Sequence, residues 1–281
     1  MTRIILVILF ATFVQWAYSA RILTVIPSPS YSHQIFFRPL WRELADRGHD
    51  LVVITTDPTN DNYPNIKEIS TKETYIPMKQ IINMMVNSSV FDILLKNKWR
   101  DLSLDLYYTF FNIPAIQELI NNKTEHFDLL IIEHYMSPMF GFKHRFNCSM
   151  IGVSSMDSLP LSHSVMGNPT HSVLYPASMF PYQENLSFLE RLAVVVFGNI
   201  FNYLINNILG DLNQIGRDNF GQDMPSLQDI FEDTDMLFVN ANPVFNAVRP
   251  HTPSTISIAG GMHISVPKPL PEVILVILNL I

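Results

Sequence analysis

A strand, a helix and a second strand follow one another near the start of the chain, and this order constrains the fold more than any other feature. Residues 21–27 form a short apolar run rich in β-branched side chains and closed by Pro27, which is typical of a buried strand. Residues 33–47 repeat apolar side chains at helical spacing and are followed by Gly48, a common helix stop. Residues 50–56 repeat the strand pattern. Such a βαβ unit predicts a sheet that is parallel from its first pair of strands.

The same alternation continues along the chain. Strands are predicted at residues 127–133, 150–155 and 236–240, and a short helix at residues 138–146. The fold class is therefore α/β, a Rossmann-like parallel sheet flanked by helices.

A long helical region at residues 187–220 allows two interpretations. It has no charged residue between positions 192 and 209, so its length would allow it to cross a membrane. Amide side chains are costly in hydrocarbon, however, and four asparagines interrupt the region. They are Asn199, Asn202, Asn206 and Asn207. A buried or interfacial pair of helices is the better prediction.

The charge and the cysteine content exclude several functions. Eighteen basic residues against 25 acidic ones give a net charge of −7, which leaves no broad positive surface for nucleic acid. Cys148 is the one cysteine, so an intramolecular disulfide and a multi-cysteine metal site are both excluded. The histidines show no spacing with acidic residues that is typical of a metal site, and we expect none.

The N-terminus is typical of a secretory signal peptide at residues 1–19. Arg3 precedes an unbroken apolar run, and a small-residue cleavage pattern ends at Ser19. A membrane anchor is the alternative, but the uncharged stretch is barely long enough. Glycans in the lumen of the endoplasmic reticulum are expected on at least one of three sequons: Asn87, Asn122 and Asn185. A fourth, Asn147, lies beside a predicted buried strand, where we expect no glycan.

The loop at residues 27–33 leaves the C-terminal edge of a parallel strand and enters a helix, where open α/β sheets bind their ligands. His33 stands at the start of that helix. Imidazole titrates near neutral pH, so it can remove a proton from a hydroxyl group as a general base. A lone histidine at a helix start is more often a structural residue, so the pattern alone leaves both roles open.

Several segments together resemble the UDP-glycosyltransferase family, particularly its insect members. The helix at residues 36–49 reads Phe-Phe-Arg-Pro-Leu-Trp-Arg-Glu-Leu-Ala-Asp-Arg-Gly-His and follows a Ser-His loop, as in that family. Other similar segments occur in the family's order: residues 127–133, 167–170, 175–181, 238–242 and 258–263. The resemblance covers residues 21–271.

The resemblance implies the acceptor-binding, N-terminal domain of a two-domain GT-B glycosyltransferase. Such an enzyme transfers a hexosyl group from a UDP-sugar, its co-substrate, to a small lipophilic acceptor, with inversion and with no metal or other cofactor. His33 matches the family's general base. Glu133 stands where the family usually has an aspartate that stabilises the imidazolium, and its extra methylene changes its reach. Without the resemblance, a solvent-facing carboxylate at a strand end is the simpler interpretation of Glu133.

The resemblance also predicts the domain limits. Residues 20–265 are expected to form the acceptor-binding domain, and residues 266–281 a shortened linker and an apolar tail unlike the family. The donor domain with its His-Gly-Gly signature is expected to be absent, and the tail is too short for a C-terminal membrane anchor.

Three interpretations of the function stay open. The first is an active glycosyltransferase whose UDP-sugar site lies in the missing half. The second is a truncated isoform that is inactive alone and pairs with full-length relatives as a homo- or heterodimer. The third is a secreted carrier of hydrophobic ligands.

Other apolar residues have more ordinary roles. Phe36, Phe37 and Trp41 are predicted to be core contacts of the first helix. Cys148 is predicted to be a small buried residue beside the strand at residues 150–155. Four more residues either line an acceptor pocket or pack in the core: Met84, Met85, Phe110 and Phe111.

Overall fold

The computed structural model describes residues 19–59, 62–89, 98–177, 185–242, 244, 246 and 248–260. Within these residues, seven parallel strands form one sheet in the order β3-β2-β1-β4-β5-β6-β7. The strands are β1 Arg21–Val25, β2 Asp50–Thr55, β3 Ile66–Ser70, β4 Leu129–Glu133, β5 Ser149–Ser154, β6 Met236–Val239 and β7 Thr255–Ser257. The predicted signal peptide, the domain limit at residue 265 and the C-terminal tail lie outside the described residues.

Helices cover both faces of the sheet. They are α1 Tyr31–Asp46, α2 Tyr75–Asn87, α3 Lys98–Phe111, α4 Pro114–Asn121, α5 Gly141–Phe146, α6 Pro160–Val165, α7 Phe188–Phe220 and α8 Leu227–Glu232. The predicted α/β fold class, a Rossmann-like parallel sheet flanked by helices, is confirmed. β1 lies between β2 and β4, with Val25 paired to Ile54 on one side and to Ile132 on the other.

Alternate residues of the strands enter two separate cores, as the period of two of a strand requires. Leu23 belongs to the larger core, on the side of α3, α4, α7 and α8. Ile22 belongs to the smaller core, under α1. There Phe37 is fully buried and stacks on Trp41 with 5.9 Å between ring centres. The predicted core role of the first helix is therefore confirmed, and each such side chain contributes about 1.5–3 kcal/mol on burial.

The helical region predicted at residues 187–220 is confirmed, but the buried or interfacial pair of helices is wrong, because α7 is one continuous helix of 33 residues. Its start is fixed by a capping box between Ser187 and Glu190. The amide of Asn199 donates to the carbonyl oxygen of Val195 at 2.8 Å, so this asparagine is satisfied within the helix. α7 is long and apolar enough to cross a membrane, and only 11% of its most apolar 18-residue stretch is buried.

Of the four apolar residues with two open roles, three pack in the core and one is exposed. Met84, Phe110 and Phe111 are buried, whereas Met85 faces solvent. Cys148 is half-buried against the larger core rather than fully buried. Burial raises the pKa of its thiol to about 11, so Cys148 stays protonated at neutral pH.

Candidate active site

The two predicted catalytic residues meet at the C-terminal edge of the sheet. β1 and β4 are neighbours, so the loop after β1 and the last residue of β4 lie together. His33 is in the first turn of α1, and its Nδ1 is hydrogen-bonded to Oε1 of Glu133. Glu133 is only 4% exposed, which contradicts the solvent-facing alternative. The His33 side chain keeps 23% of its surface accessible, so a ligand can reach the ring.

The loop between β1 and α1 is held by a buried amide that sequence reasoning missed. Gln34 donates from Nε2 to the carbonyl oxygens of Ile26 at 2.9 Å and Ser28 at 2.8 Å. Its Oε1 accepts a hydrogen bond from the hydroxyl of Thr55 at 2.7 Å. The backbone N–H of Ser28 in turn donates to Oε2 of Glu133 at 3.3 Å. Gln34 therefore fixes the loop that contacts the carboxylate.

The place of Gln34 in the sequence could have revealed that its side chain is buried and hydrogen-bonded. It precedes Phe37 by three residues and Trp41 by seven, so it lies on the apolar face of α1. A polar side chain on that face must find hydrogen-bond partners.

The neighbouring carboxylate makes His33 more basic. Burial alone would lower the pKa of His33, but the hydrogen bond to Glu133 and the charge of Glu133 outweigh burial and raise it above its ordinary value. The ring therefore binds a proton more strongly than a free histidine does.

An apolar cavity of about 460 Å³ borders the Ser28 side of this pair. Its wall includes Ser28 and Tyr135, which follow β1 and β4, and is otherwise mostly apolar. Apolar lining residues include Met78, Ile81, Trp99, Leu106, Ile205 and Phe231. Burial, with the charge of Glu133, raises the pKa of Tyr135 well above its ordinary value, so its phenol is neutral. Such a cavity suits a flat or ring-shaped hydrophobic ligand.

His33 itself borders an open cleft of about 700 Å³ with a mixed polar and apolar lining. Ser32, Arg38, Ser155 and Asn240 also line this cleft. His33 therefore lines this cleft, while Ser28, which contacts its partner Glu133, lines the apolar cavity.

The next residue, His134, has a structural role. It stacks on Phe231 with 4.1 Å between ring centres, and its Nε2 is hydrogen-bonded to the hydroxyl of Thr234 at 3.0 Å. Burial, and to a smaller extent His163, lowers the pKa of His134 to about 3, so the ring is neutral in the core. In the described part of the chain, no three His, Cys, Asp or Glu side chains are grouped to hold a metal ion.

Known proteins with similar sequences share one activity. The chain is 30% identical over 270 residues to the UDP-glycosyltransferase UGT4 of Dactylopius coccus, covering 92% of this chain and 52% of that protein. It is 26% identical over 269 residues to an ecdysteroid UDP-glucosyltransferase of Mamestra brassicae nuclear polyhedrosis virus, covering 90% and 50%. The chain is therefore similar to members of the UDP-glycosyltransferase family over 90–92% of its own length. No protein-family model matches the sequence.

The chain spans about half the length of the curated relatives it matches. Among solved structures, the calicheamicin glycosyltransferase CalG4 matches 85% of this chain with 51% of its own, at 13% identity and a TM-score of 0.43. The glycosyltransferase of kitacinnamycin matches 81% of this chain with 47% of its own, at 14% identity and a TM-score of 0.44.

Proposed function

We propose that this chain binds the acceptor of an inverting UDP-glycosyltransferase and supplies its general base, His33. The observation that carries the proposal is the contact between His33 and Glu133 at the sheet edge, beside an apolar cavity. The reaction transfers a hexosyl group from a UDP-sugar to a hydroxyl group of a small lipophilic acceptor.

The hydrogen bond to Glu133 supports a defined tautomer of His33. With Nδ1–H donating to the carboxylate, Nε2 carries the lone pair, and in the described part of the chain Nε2 has no hydrogen-bond partner. Nε2 takes the proton of the acceptor hydroxyl while the oxygen bonds to the anomeric carbon. The bond from that carbon to UDP breaks on the opposite face, and UDP leaves with the electron pair. The carboxylate of Glu133 stabilises the imidazolium that results.

The composition of the apolar cavity supports the acceptor class. Its volume of about 460 Å³ lies in the range of small-molecule sites. Aromatic and aliphatic side chains such as Trp99, Leu106 and Phe231 favour a hydrophobic body. The neutral hydroxyl of Tyr135 can orient a polar group of the acceptor.

The test is a transfer assay that supplies the region of the relatives that this chain does not match. The chain is fused to that region of UGT4, and transfer from UDP-glucose to a phenol is measured. His33→Ala is expected to lower the rate about 10²- to 10⁴-fold, because proton transfer to a positioned base contributes that much. His126→Ala is the matched control, since His126 is exposed and outside the site. Near-normal transfer by the His33→Ala protein would refute the assignment.

The apolar cavity also supports a second candidate, in which the chain binds hydrophobic ligands without transferring sugar. Such a product could modulate full-length relatives as a homo- or heterodimer. Ligand binding by the 281-residue chain, with no transfer and no change in a co-expressed relative's activity, would favour a carrier. A changed activity of the relative would favour a modulator.

We also propose that the chain enters the endoplasmic reticulum and is glycosylated. Asn87 and Asn185 are exposed, and Asn122 is partly exposed, so each can accept a glycan. Asn147 is exposed as well, in a left-handed turn after α5, so burial gives no reason for it to stay bare. Glycosidase treatment of protein from secretory cells should lower its apparent mass. An unshifted protein that keeps Met1 would refute both proposals.

A further inference from the structure

A second cavity, the Arg249 cavity, lies beside the apolar cavity and has a volume of about 410 Å³. Four residues border both cavities: Leu159, Pro160, Phe201 and Asn202. The segment after the Gly-Asn-Pro-Thr sequence at residues 167–170 forms another part of its wall, with His171, Ser172 and Tyr175. The two cavities are therefore neighbouring compartments along α7.

The guanidinium group of Arg249 faces this cavity, is buried, and makes few hydrogen bonds to the protein. Its side chain is 5% exposed. Among the described residues it donates one hydrogen bond, from Nη1 to the carbonyl oxygen of Pro169 at 3.3 Å. Its Nη2 is 3.7 Å from Oδ2 of Asp157, beyond hydrogen-bond distance. Since a guanidinium has five N–H donors, most of them have no protein partner in this part of the chain.

Asp157 forms an ion pair with Arg249 but accepts no hydrogen bond from its guanidinium group. Its Oδ1 accepts hydrogen bonds from Nε2 of His163 at 2.9 Å and from the backbone N–H of Ser158 at 3.0 Å. Burial alone would raise the pKa of Asp157, but the bond and charge of His163, the charge of Arg249 and the Ser158 N–H lower it. Asp157 is therefore an ionised carboxylate whose nearest oxygen is turned partly toward Arg249.

The guanidinium also lies over the aromatic ring of Tyr175, with 5.1 Å between Cζ and the ring centre, a cation–π distance. Burial lowers the pKa of Arg249, and the charges of Asp157 and Tyr175 offset this only in part. Arg249 is thus a buried cation whose ion-pair partner Asp157 is 3.7 Å away, and a buried charge is costly where its N–H groups lack hydrogen bonds.

We propose that the Arg249 cavity binds a carboxylate or sulfonate group of an amphipathic ligand whose apolar body occupies the apolar cavity. A planar guanidinium binds such a group through two parallel hydrogen bonds. The inference rests on the proposed acceptor function and narrows it to acceptors that carry an anionic group away from the hydroxyl that is glycosylated. The diphosphate of the sugar nucleotide has similar chemistry, but the apolar wall shared with the apolar cavity favours an organic acid.

The test compares two fluorescent probes that differ mainly in charge, anilinonaphthalene sulfonate and neutral N-phenylnaphthylamine, with the full chain. Arg249→Gln is expected to weaken sulfonate binding about 10- to 100-fold, the worth of a charge-assisted hydrogen-bonded contact. Binding of the neutral probe should change less than twofold. Arg249→Lys keeps the charge and should weaken sulfonate binding less. Arg47→Gln removes the same charge from an exposed site and should change neither affinity.

The outcomes separate this inference from the function on which it rests. Unchanged sulfonate affinity in Arg249→Gln, or equal loss of both probes in Arg249→Gln and Arg249→Lys, would overturn the anion site. Displacement of the sulfonate probe by UDP as readily as by naphthoic acid would assign the Arg249 cavity to the nucleotide and overturn this inference, but not the proposed function of His33 and the apolar cavity. Failure of the unmodified chain to bind the neutral probe would refute the apolar cavity as an acceptor site, whatever Arg249 does.

Discussion

Two histidine–carboxylate pairs lie at the same edge of the sheet, and they differ in access. His33 keeps 23% of its side-chain surface exposed and uses Nδ1 to contact Glu133. His163 is completely buried and uses both ring nitrogens, Nε2 to Asp157 at 2.9 Å and Nδ1 to the amide of Asn168 at 3.1 Å. The first pair has a nitrogen available for a substrate, and the second has none.

The difference shows that contact with a carboxylate does not by itself make a histidine a general base. A base also needs an unpaired nitrogen that a substrate can reach. The His163 pair instead ties the loop after β5 to the first residue of β7, because Asn168 also donates to the hydroxyl of Thr255 at 2.8 Å. We therefore expect the first pair to govern rate and the second to govern stability.

After the loss of transfer in His33→Ala, the largest expected effect is the loss of folding stability in His163→Ala. His163→Ala should lower the free energy of unfolding by about 3 kcal/mol, because it removes one hydrogen bond from a buried carboxylate and one from a buried amide and leaves a cavity. Urea unfolding followed by circular dichroism measures this change.

His33→Ala is the comparison variant for that measurement. It should cost less stability than His163→Ala, because water can enter the half-open site and solvate Glu133. An equal loss for the two variants would contradict the distinction between an open and a sealed pair.

The next effect shows whether Glu133 only orients the ring of His33 or also raises its pKa. In the fused enzyme, Glu133→Gln should lower transfer less than His33→Ala does, since the base remains. It should also move the acidic limb of the rate profile to lower pH. The unmodified limb is expected above pH ~6.5, because Glu133 raises the pKa of His33. Without the charge of Glu133, burial lowers the pKa of His33. A rate profile that keeps its midpoint in Glu133→Gln would indicate that the carboxylate does not set the basicity of His33.

The smallest effect is the opposite pH dependence of the two pairs. The raised folded-state pKa of His33 means that its pair adds stability below pH ~6.5, which is lost as pH rises through the folded pKa. The lowered pKa of Asp157 adds stability above pH ~3.9, which is lost as pH falls through its folded pKa.

Stability curves of two variants test these signs. His33→Ala should therefore cost more stability at pH 5.5 than at pH 8.5, and Asp157→Asn more at pH 5 than at pH 3. Urea midpoints across this pH range measure both trends. Parallel curves for both variants and the unmodified chain would show that neither pair is linked to folding as described.

The sequence predicted the central strands well because their apolar runs are continuous and bounded by turn residues. β1, β2, β4, β5 and β6 all begin within two residues of the predicted positions. The edge strand β3 was missed because its sequence, Ile-Lys-Glu-Ile-Ser, buries only Ile69. β7 is three residues long and leaves no periodic pattern. Edge strands pair on one side, so fewer of their positions must be apolar.

The candidate site was predictable only at residues where the strand and helix pattern and the family resemblance agreed. His33 follows β1 and Glu133 ends β4. These two strands are parallel neighbours, so the sheet topology brings the two residues together. Arg249 and Asp157 are 92 residues apart, in loops with no regular pattern, and their contact depends on the tertiary fold. The extent of α7 was predicted correctly, but its division into a pair of helices was wrong, because an asparagine that bonds to its own helix, as Asn199 does, does not interrupt it.

The most direct test of the account is the pKa of His33 in the folded chain, measured by NMR titration of its ring protons with His33→Ala as the assignment control. The account predicts a pKa above the ordinary value of about 6.5 in the unmodified chain and a clearly lower value in Glu133→Gln. A pKa at or below about 6.5 that does not move in Glu133→Gln would contradict it, because His33 would then not be coupled to the carboxylate that the mechanism requires.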